Sequence, residues 1–225
     1  MVAFVRCADR AGMQALVPTT LDWTVRDLVA RQGASHRRVA GLFGSELRGE
    51  EAQGRAAPEP IEWLRDSAIE VATRLTVAPP DAVAPVFLAS TATPRQFWAR
   101  RVCHETTLHA VDALAASLGR YPVSADAEWI TPELASDGLD ELLMGFVPRP
   151  SSRLVPEVEQ RVQVRVHDGP SWLLRLGPHP PQVSRTAVSV DADLVLAGSA
   201  PALYLTLWNR SDEVDVARWG SLAAG

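Results

Sequence analysis

A chain of 225 residues with 47% hydrophobic residues and a net charge of −5 is long enough to bury one or two cores. The charge balance gives no attraction to phosphate backbones or anionic lipid, so we expect neither a nucleic-acid nor a membrane partner. All 22 basic residues are arginine, which excludes lysine chemistry such as Schiff-base formation or pyridoxal phosphate attachment.

The first two thirds of the sequence have the pattern of helices joined by Pro- and Gly-rich connections. A short amphipathic helix is predicted from Met1 to about Leu16. Thr24 and Asp27 form a capping-box-like pair, so a second helix is predicted from about Thr24 to Phe43. After a polar, turn-rich segment over residues 44–60, apolar side chains three or four residues apart predict a third helix over about 61–75.

A fourth helix is predicted to begin at Pro94, because proline costs nothing at the first position of a helix, and to end near Leu118. Four such helices are typical of a bundle. A further helix is predicted from Pro132 to about Phe146, ahead of a Pro-rich break over residues 147–156.

The last third of the sequence changes to a period of two, which is typical of strands. Val162 and Val164 alternate with polar residues, and Asp168-Gly169 supplies a hairpin turn into a second strand over 171–176. Two more strands are predicted near 183–190 and 194–197, before an apolar helix over about 200–208. The predicted fold is a helical domain at 1–150 followed by a small α+β domain at 151–225.

Two cysteines, Cys7 and Cys103, allow at most one disulfide, and a chain of this size does not need one. We expect two reduced thiols in a cytoplasmic protein, with Cys103 a buried structural thiol. No window approaches about 18 consecutive apolar residues, and the first residues lack the pattern of a signal peptide. We therefore expect a soluble monomer or homodimer.

The most informative residues lie inside the predicted fourth helix. Glu105 and His109 differ by about 40° around a helix axis and lie one turn apart, so they can share a metal ion. His104 is about 140° away from His109 and is not expected to join them. Glutamate and histidine at this spacing also occur as ordinary surface ion pairs, so the spacing alone leaves both interpretations open.

A usable site needs a third ligand, and His36 is the candidate. It continues the apolar stripe of the second helix, which contains Gln32, so its imidazole is expected to face the interior of the bundle. Two imidazoles and one carboxylate with an open fourth position describe a catalytic zinc site, although nickel or iron would accept the same ligands. Asp112 is placed to orient His109. A core histidine bonded to a backbone carbonyl is the alternative for His36.

Two motifs resemble the mycothiol-dependent maleylpyruvate isomerase family of DinB-like metal-binding bundles. They are WTVRDLVARQGASH at residues 23–36 and FWARRVCHETTLHAVD at residues 97–112. The tail DLVLAGSAPALYLTLWNR at residues 193–210 resembles the sterol-carrier-like second domain of that family. The sequence departs from the family pattern at Arg31, where a histidine is frequent, and at Asn209, where glycine is more usual.

The resemblance implies a fold, a ligand set and a reaction class. A DinB-like four-helix bundle would hold a divalent metal through His36, Glu105 and His109, and an arginine of the C-terminal region, Arg210, would bind the substrate. Mycothiol would be the thiol cosubstrate, activated as a metal-bound thiolate for attack on an electrophilic small molecule. The outcome would be cis–trans isomerisation, as for maleylpyruvate, or transfer of the thiol sulfur.

The sequence leaves two alternatives to a thiol-dependent enzyme. One is a non-catalytic metal-binding bundle with a ligand- or partner-binding C-terminal domain, and the other is a protein without a metal. For Arg210, the alternative is a solvated arginine that caps the end of a helix.

Overall fold

The computed structural model describes residues 1–20, 22–47, 49–89, 92–187 and 190–215. Within it the chain separates into two compact units, one ending at Pro122 and the other beginning at Val123. This break lies earlier than the predicted boundary between residues 150 and 151. The helix that begins at Pro132 packs against the last helix of the chain, and its hydrophobic period alone could not show which partner it has.

The first unit contains the four helices that the sequence predicts and one additional helix of six residues. These are α1 (Val2–Ala11), α2 (Val25–Leu42), α3 (Glu51–Ala56), α4 (Pro60–Val77) and α5 (Pro94–Leu118). Helix α2 packs against α4 and α5, and α1 packs against α5. The short α3 lies in the segment that was predicted to be polar turn, and α1 ends at Ala11 because Gly12 takes a left-handed φ of 84°.

Local signals set the ends of the two helices that matter most for the site. At the start of α2, Thr24 and Asp27 form the predicted capping box, with the Thr24 N–H donating to the Asp27 carboxylate at 3.0 Å. At α5, Thr93 caps the helix, Pro94 occupies its first turn and Gly119 ends it in a left-handed conformation. The first and last residues of α2 and α5 agree with the predicted ones to within one residue.

Trp63 of α4 determines how closely α2 and α3 approach. A Cβ added at Gly33 of α2 would lie 2.0 Å from Trp63 Cζ3, and one added at Gly54 of α3 would lie 2.7 Å from the same atom. The Arg37 guanidinium covers the ring at 4.4 Å from its centroid. The indole is therefore enclosed by two glycines and one cation, which leaves it little room to move.

The second unit begins with a 3₁₀ turn at Ser124–Ala127 and continues through helices and strands in the order α6, β1, β2, β3, β4 and α7. Their bounds are α6 (Pro132–Asp140), β1 (Gln160–Val166), β2 (Ser171–Leu176), β3 (Gln182–Thr186), β4 (Leu194–Gly198) and α7 (Ala200–Leu207). The helix predicted to Phe146 changes at Glu141 into a π-helical turn over Glu141–Phe146. The predicted strand near 183–190 ends at Thr186. Residues 188 and 189 and the last ten of the predicted domain, 216–225, lie outside the described residues.

The sheet is mixed, with strand order β3-β2-β1-β4. Strands β1 and β2 are antiparallel across the turn that contains Asp168, whose φ is 55°, and β4 joins β1 in parallel. Val164 and Trp172 are directly opposite one another and fully buried on the core face. The indole N–H of Trp172 donates to Asp140 at 3.1 Å, and that of Trp208 donates to the Gly138 carbonyl at 3.1 Å, which ties α6 into this unit. No helix in the described ranges is long and apolar enough to cross a bilayer.

Candidate functional site

The three predicted metal ligands lie on the neighbouring helices α2 and α5. His36 is in the second half of α2, and Glu105 and His109 lie one turn apart in the middle of α5. Glu105 is half-buried, and its carboxylate accepts a hydrogen bond from the Ser35 hydroxyl at 3.0 Å. The contact between Ser35 and Glu105 holds the carboxylate against α2.

The side-chain amide of Gln32 lies between the two histidines. Its nitrogen is 2.7 Å from His36 Nε2 and 3.0 Å from the Thr106 hydroxyl, while its oxygen accepts from Nδ1 of His109. The Thr106 hydroxyl is in turn 2.9 Å from His36 Nε2. Gln32 is fully buried, so these partners replace the water that its amide would otherwise bind. Two turns of α2 are thereby joined to one turn of α5 by polar contacts.

His36 is in the protonation state that metal binding requires. Burial lowers its pKa from 6.5 to about 3, and the nearby His109 contributes in the same direction. The ring is only 1% exposed and is neutral at physiological pH. Its Nδ1 is buried and has no hydrogen-bond partner among the described residues.

The donor types suit a divalent ion, but the side chains do not form a closed ligand cluster. Within the ranges that the structure describes, no three His, Cys, Asp or Glu side chains are close enough together to hold one ion. His36 and His109 each contact Gln32, and Glu105 contacts Ser35. The three predicted ligands therefore lie on the two neighbouring helices α2 and α5, and each of them makes a hydrogen-bond contact with a side chain of α2.

Comparison with known proteins identifies the helical unit. Residues 1–114, half of the chain, match the mycothiol maleylpyruvate isomerase N-terminal domain family. The chain belongs to this family. A crystal structure of a mutant mycothiol-dependent maleylpyruvate isomerase matches with a TM-score of 0.61 over 95% of this chain and 86% of that chain, at 14% sequence identity. At that identity the match establishes the fold, including the small mixed sheet. No curated protein matches the chain.

The remaining polar residues of α5 in this family member divide between its two faces. His104 and Asp112 are buried, and Asp112 accepts a hydrogen bond from the Thr19 hydroxyl at 2.5 Å. The predicted orientation of His109 by Asp112 stays a prediction. Cys103 was predicted to be buried, which is wrong, because it lies on the solvent-facing side of the helix and is exposed.

Arg210 belongs to the second unit, directly after α7. Its backbone N–H donates to the Leu205 carbonyl at 2.7 Å, and its guanidinium donates to the Trp208 carbonyl at 2.8 Å. Asn209, which stands where the resemblance places a glycine, has a left-handed φ of 59°. Asparagine tolerates this conformation better than most residues, so the substitution keeps the turn that ends α7.

Three contact residues of the site were not predicted to belong to it: Gln32, Ser35 and Thr106. Gln32 was visible in the sequence only as a polar residue within the apolar stripe of α2. A buried amide must find partners, and this was a signal that the stripe meets polar side chains of another helix. Ser35 and Thr106 have no comparable signal, because hydroxyl residues occur throughout helices.

Proposed function

We propose that this chain is an enzyme that uses a low-molecular-weight thiol, mycothiol, to transform an electrophilic small molecule. The support is the family membership of residues 1–114 together with the paired contacts of α2 and α5, in which Ser35 bonds Glu105 and Gln32 bonds His109. Carboxylate and imidazole one turn apart, each held by the neighbouring helix, are what a preorganised metal site requires.

In this proposal His36, Glu105 and His109 hold a divalent ion, with zinc the first choice and nickel or iron the alternatives. A bound ion would lower the pKa of a thiol below its usual value of about 8.5 and make it a thiolate at neutral pH. The chain's own residues contribute a neutral His36 and a carboxylate held by Ser35. Because thiol chemistry of this kind needs reduced thiols, a cytoplasmic location is part of the proposal.

Arg210 is proposed to recognise the electrophile. A guanidinium offers two parallel N–H donors to a carboxylate, and the bond to the Trp208 carbonyl restricts its side chain. The proposal covers both cis–trans isomerisation of a maleylpyruvate-like acid and transfer of the thiol sulfur. An Arg210→Lys variant keeps the charge but loses the two parallel N–H donors, so its KM for an acidic substrate should rise. The KM of an Arg153→Lys variant, at an exposed position, should not change.

The decisive experiment is incubation of the zinc-loaded protein with mycothiol and a panel of electrophiles that includes maleylpyruvate. We expect isomerised product or a mycothiol adduct, detected by NMR and mass spectrometry. His109→Gln should abolish both zinc binding and turnover, whereas His167→Gln, at the end of the β1 strand, should change neither. Absence of product with every electrophile, under conditions where zinc is bound, would contradict the enzyme assignment.

The second candidate is a metal-binding bundle whose second unit binds a ligand without catalysis. It is favoured by a cavity of about 630 Å³ in the second unit, lined by polar side chains that include Arg161, Arg175 and His179. The ion would then be structural, and His109→Gln would lower the unfolding temperature of the first unit. The enzyme assignment instead expects that this variant keeps its fold and loses activity.

A further inference from the structure

Two arginines face one another across the first two strands of the sheet. Arg161 of β1 and Arg175 of β2 are directly opposite in the antiparallel register, and both are exposed. Like charges at directly opposite positions destabilise a pair of strands. Within the described ranges the Arg175 side chain makes no hydrogen bond or ion pair, and the Arg161 guanidinium reaches only the neutral Asp191 carbonyl, at 3.5 Å. Neither guanidinium is therefore paired with a carboxylate of the described chain.

Both side chains line the cavity of about 630 Å³ in the second unit. One wall of this cavity is the turn between β2 and β3, which includes Pro178, His179 and Pro180. Proline fixes the backbone φ, so this turn has little freedom to move. Small-molecule sites commonly occupy about 300–1,000 Å³, and an inorganic anion alone would fill only a small part of this space. Arg210 is not among the described residues that line it.

Two carboxylates of the same lining restrict the kind of ligand that fits. The Asp193 backbone N–H donates to the Arg161 carbonyl at 2.9 Å, and its carboxylate accepts from the Arg161 backbone N–H at 2.7 Å, so Asp193 is fixed beside the arginine pair. Glu159 lies over Gly177, where an added Cβ would be 3.3 Å from Glu159 Cγ. Carboxylates accept hydrogen bonds and repel a second negative charge, whereas guanidinium groups only donate. The lining therefore suits a ligand with an anionic group and separate hydroxyl groups.

We propose that this cavity binds a small organic anion that carries hydroxyl groups, such as a sugar phosphate or a sugar acid. The anionic group lies between Arg161 and Arg175, because a guanidinium offers two parallel donors to a phosphate or a carboxylate and the bound charge removes the repulsion between the two arginines. The hydroxyl groups donate to Glu159 and Asp193. The site requires neither a metal nor a thiol, and it does not depend on which candidate function of the chain is correct.

The experiment is calorimetric titration of the full chain in a chloride buffer of constant ionic strength, with a chelator present. The probes are D-glucose 6-phosphate, D-glucuronate and the neutral D-glucose. We expect at least one of the two anions to bind, and glucose to bind at least about 10-fold more weakly. The tighter of the two anions identifies the charged group as phosphate or carboxylate. Failure of both anions to bind, or equal affinity for glucose, would overturn the proposal.

The arginine pair is tested by Arg175→Gln and Arg161→Gln. Each variant should bind the anion about 10- to 100-fold more weakly, because a charge-assisted hydrogen bond is lost. Arg153→Gln is the matched control, since Arg153 is exposed and is not among the described residues that line the cavity. Equal affinities in Arg175→Gln and Arg153→Gln would overturn the site.

Thermal unfolding separates a binding role of Arg175 from a structural one. Without an anion, Arg175→Gln should unfold at the wild-type temperature or above it, because one of two opposed like charges is gone. The anion should raise the unfolding temperature of wild type but not that of Arg175→Gln. A lower unfolding temperature for Arg175→Gln without anion, together with an unchanged response to anion, would overturn the proposal.

Glu159→Ala tests the part of the site that binds hydroxyl groups. It should bind inorganic phosphate at least as tightly as wild type does, because a negative charge is removed, and it should lose the wild-type preference for glucose 6-phosphate over inorganic phosphate. Absence of that preference in wild type would overturn the role of Glu159. Anion binding by a chain that shows no turnover with mycothiol supports this site and counts against the enzyme assignment. Turnover without anion binding supports the enzyme assignment and overturns this site.

Discussion

Replacement of Gly33 by alanine tests the packing of α2, α3 and α4 around Trp63. The added Cβ would lie 2.0 Å from Trp63 Cζ3 and 2.5 Å from Cε3. Non-bonded carbons pack at about 3.5–4.0 Å, so the ring or the helix must shift by about 1.5 Å. The ring is blocked by Gly54 on α3 and by the Arg37 guanidinium, so the backbone of α2 has to move.

The expected cost follows from two opposing effects. Overpacking a core costs about 1–3 kcal/mol and occasionally more, while replacing glycine inside a helix returns up to about 1 kcal/mol. Because the overlap is with a ring enclosed on several sides, we expect the upper part of the range and a net loss of about 2–3 kcal/mol. For a chain of this size that corresponds to a fall in unfolding temperature of roughly 5–10 °C.

Gly41 supplies the matched control on the same helix. A Cβ there would meet no atom within 4 Å, so Gly41→Ala should be neutral or stabilising by a few tenths of a kcal/mol. Urea unfolding followed by helical circular dichroism measures both variants. Addition of Trp63→Leu to Gly33→Ala should recover part of the loss, because it removes the ring that the methyl group meets. Equal stability of Gly33→Ala and Gly41→Ala would refute the packing explanation.

Three further predictions concern other parts of the fold. Thr24→Ala should cost about 1 kcal/mol in urea unfolding because it removes the cap of α2, and a cost equal to that of the exposed Thr76→Ala would contradict this. Asp140→Ala should destabilise the second unit by about 1–3 kcal/mol, because it leaves the Trp172 indole N–H without its acceptor; unchanged thermal unfolding would argue against that bond. Between pH 6.5 and about 3, unfolded His36 binds a proton that folded His36 does not, so stability falls as the pH falls. In chelator, wild type should lose about 1.6 kcal/mol more than His36→Gln between pH 6.5 and pH 5, and parallel pH profiles would exclude this.

The helices α2 and α5 could be predicted to within one residue because their signals are local. A capping box, a proline in the first turn and a glycine after the last turn act within a few residues of the chain. The six residues of α3 could not be predicted, because so short a helix depends on packing beside Trp63. The break after Pro122 was missed for a related reason, since a helical period identifies a buried face but not the element that covers it.

The same distinction explains the unequal outcome for the predicted ligands. Spacing on one helix placed Glu105 and His109 on one face, and no tertiary information was needed for that step. The inward direction of His36 was also correct, because the ring is 1% exposed. A buried imidazole requires a partner, but the requirement does not specify a metal. In the structure the partners of its Nε2 are Gln32 and Thr106.

Zinc content tests whether His36 is a ligand or a core histidine. In the proposed site His36 and His109 each supply one imidazole, so His36→Gln and His109→Gln should each lower the zinc content to well below one ion per chain. His167→Gln, in the second unit, should keep the wild-type content. Loss of zinc in His109→Gln but not in His36→Gln would mean that the buried His36 ring is satisfied by Gln32 and Thr106 and belongs to the core of the bundle, not to the metal site.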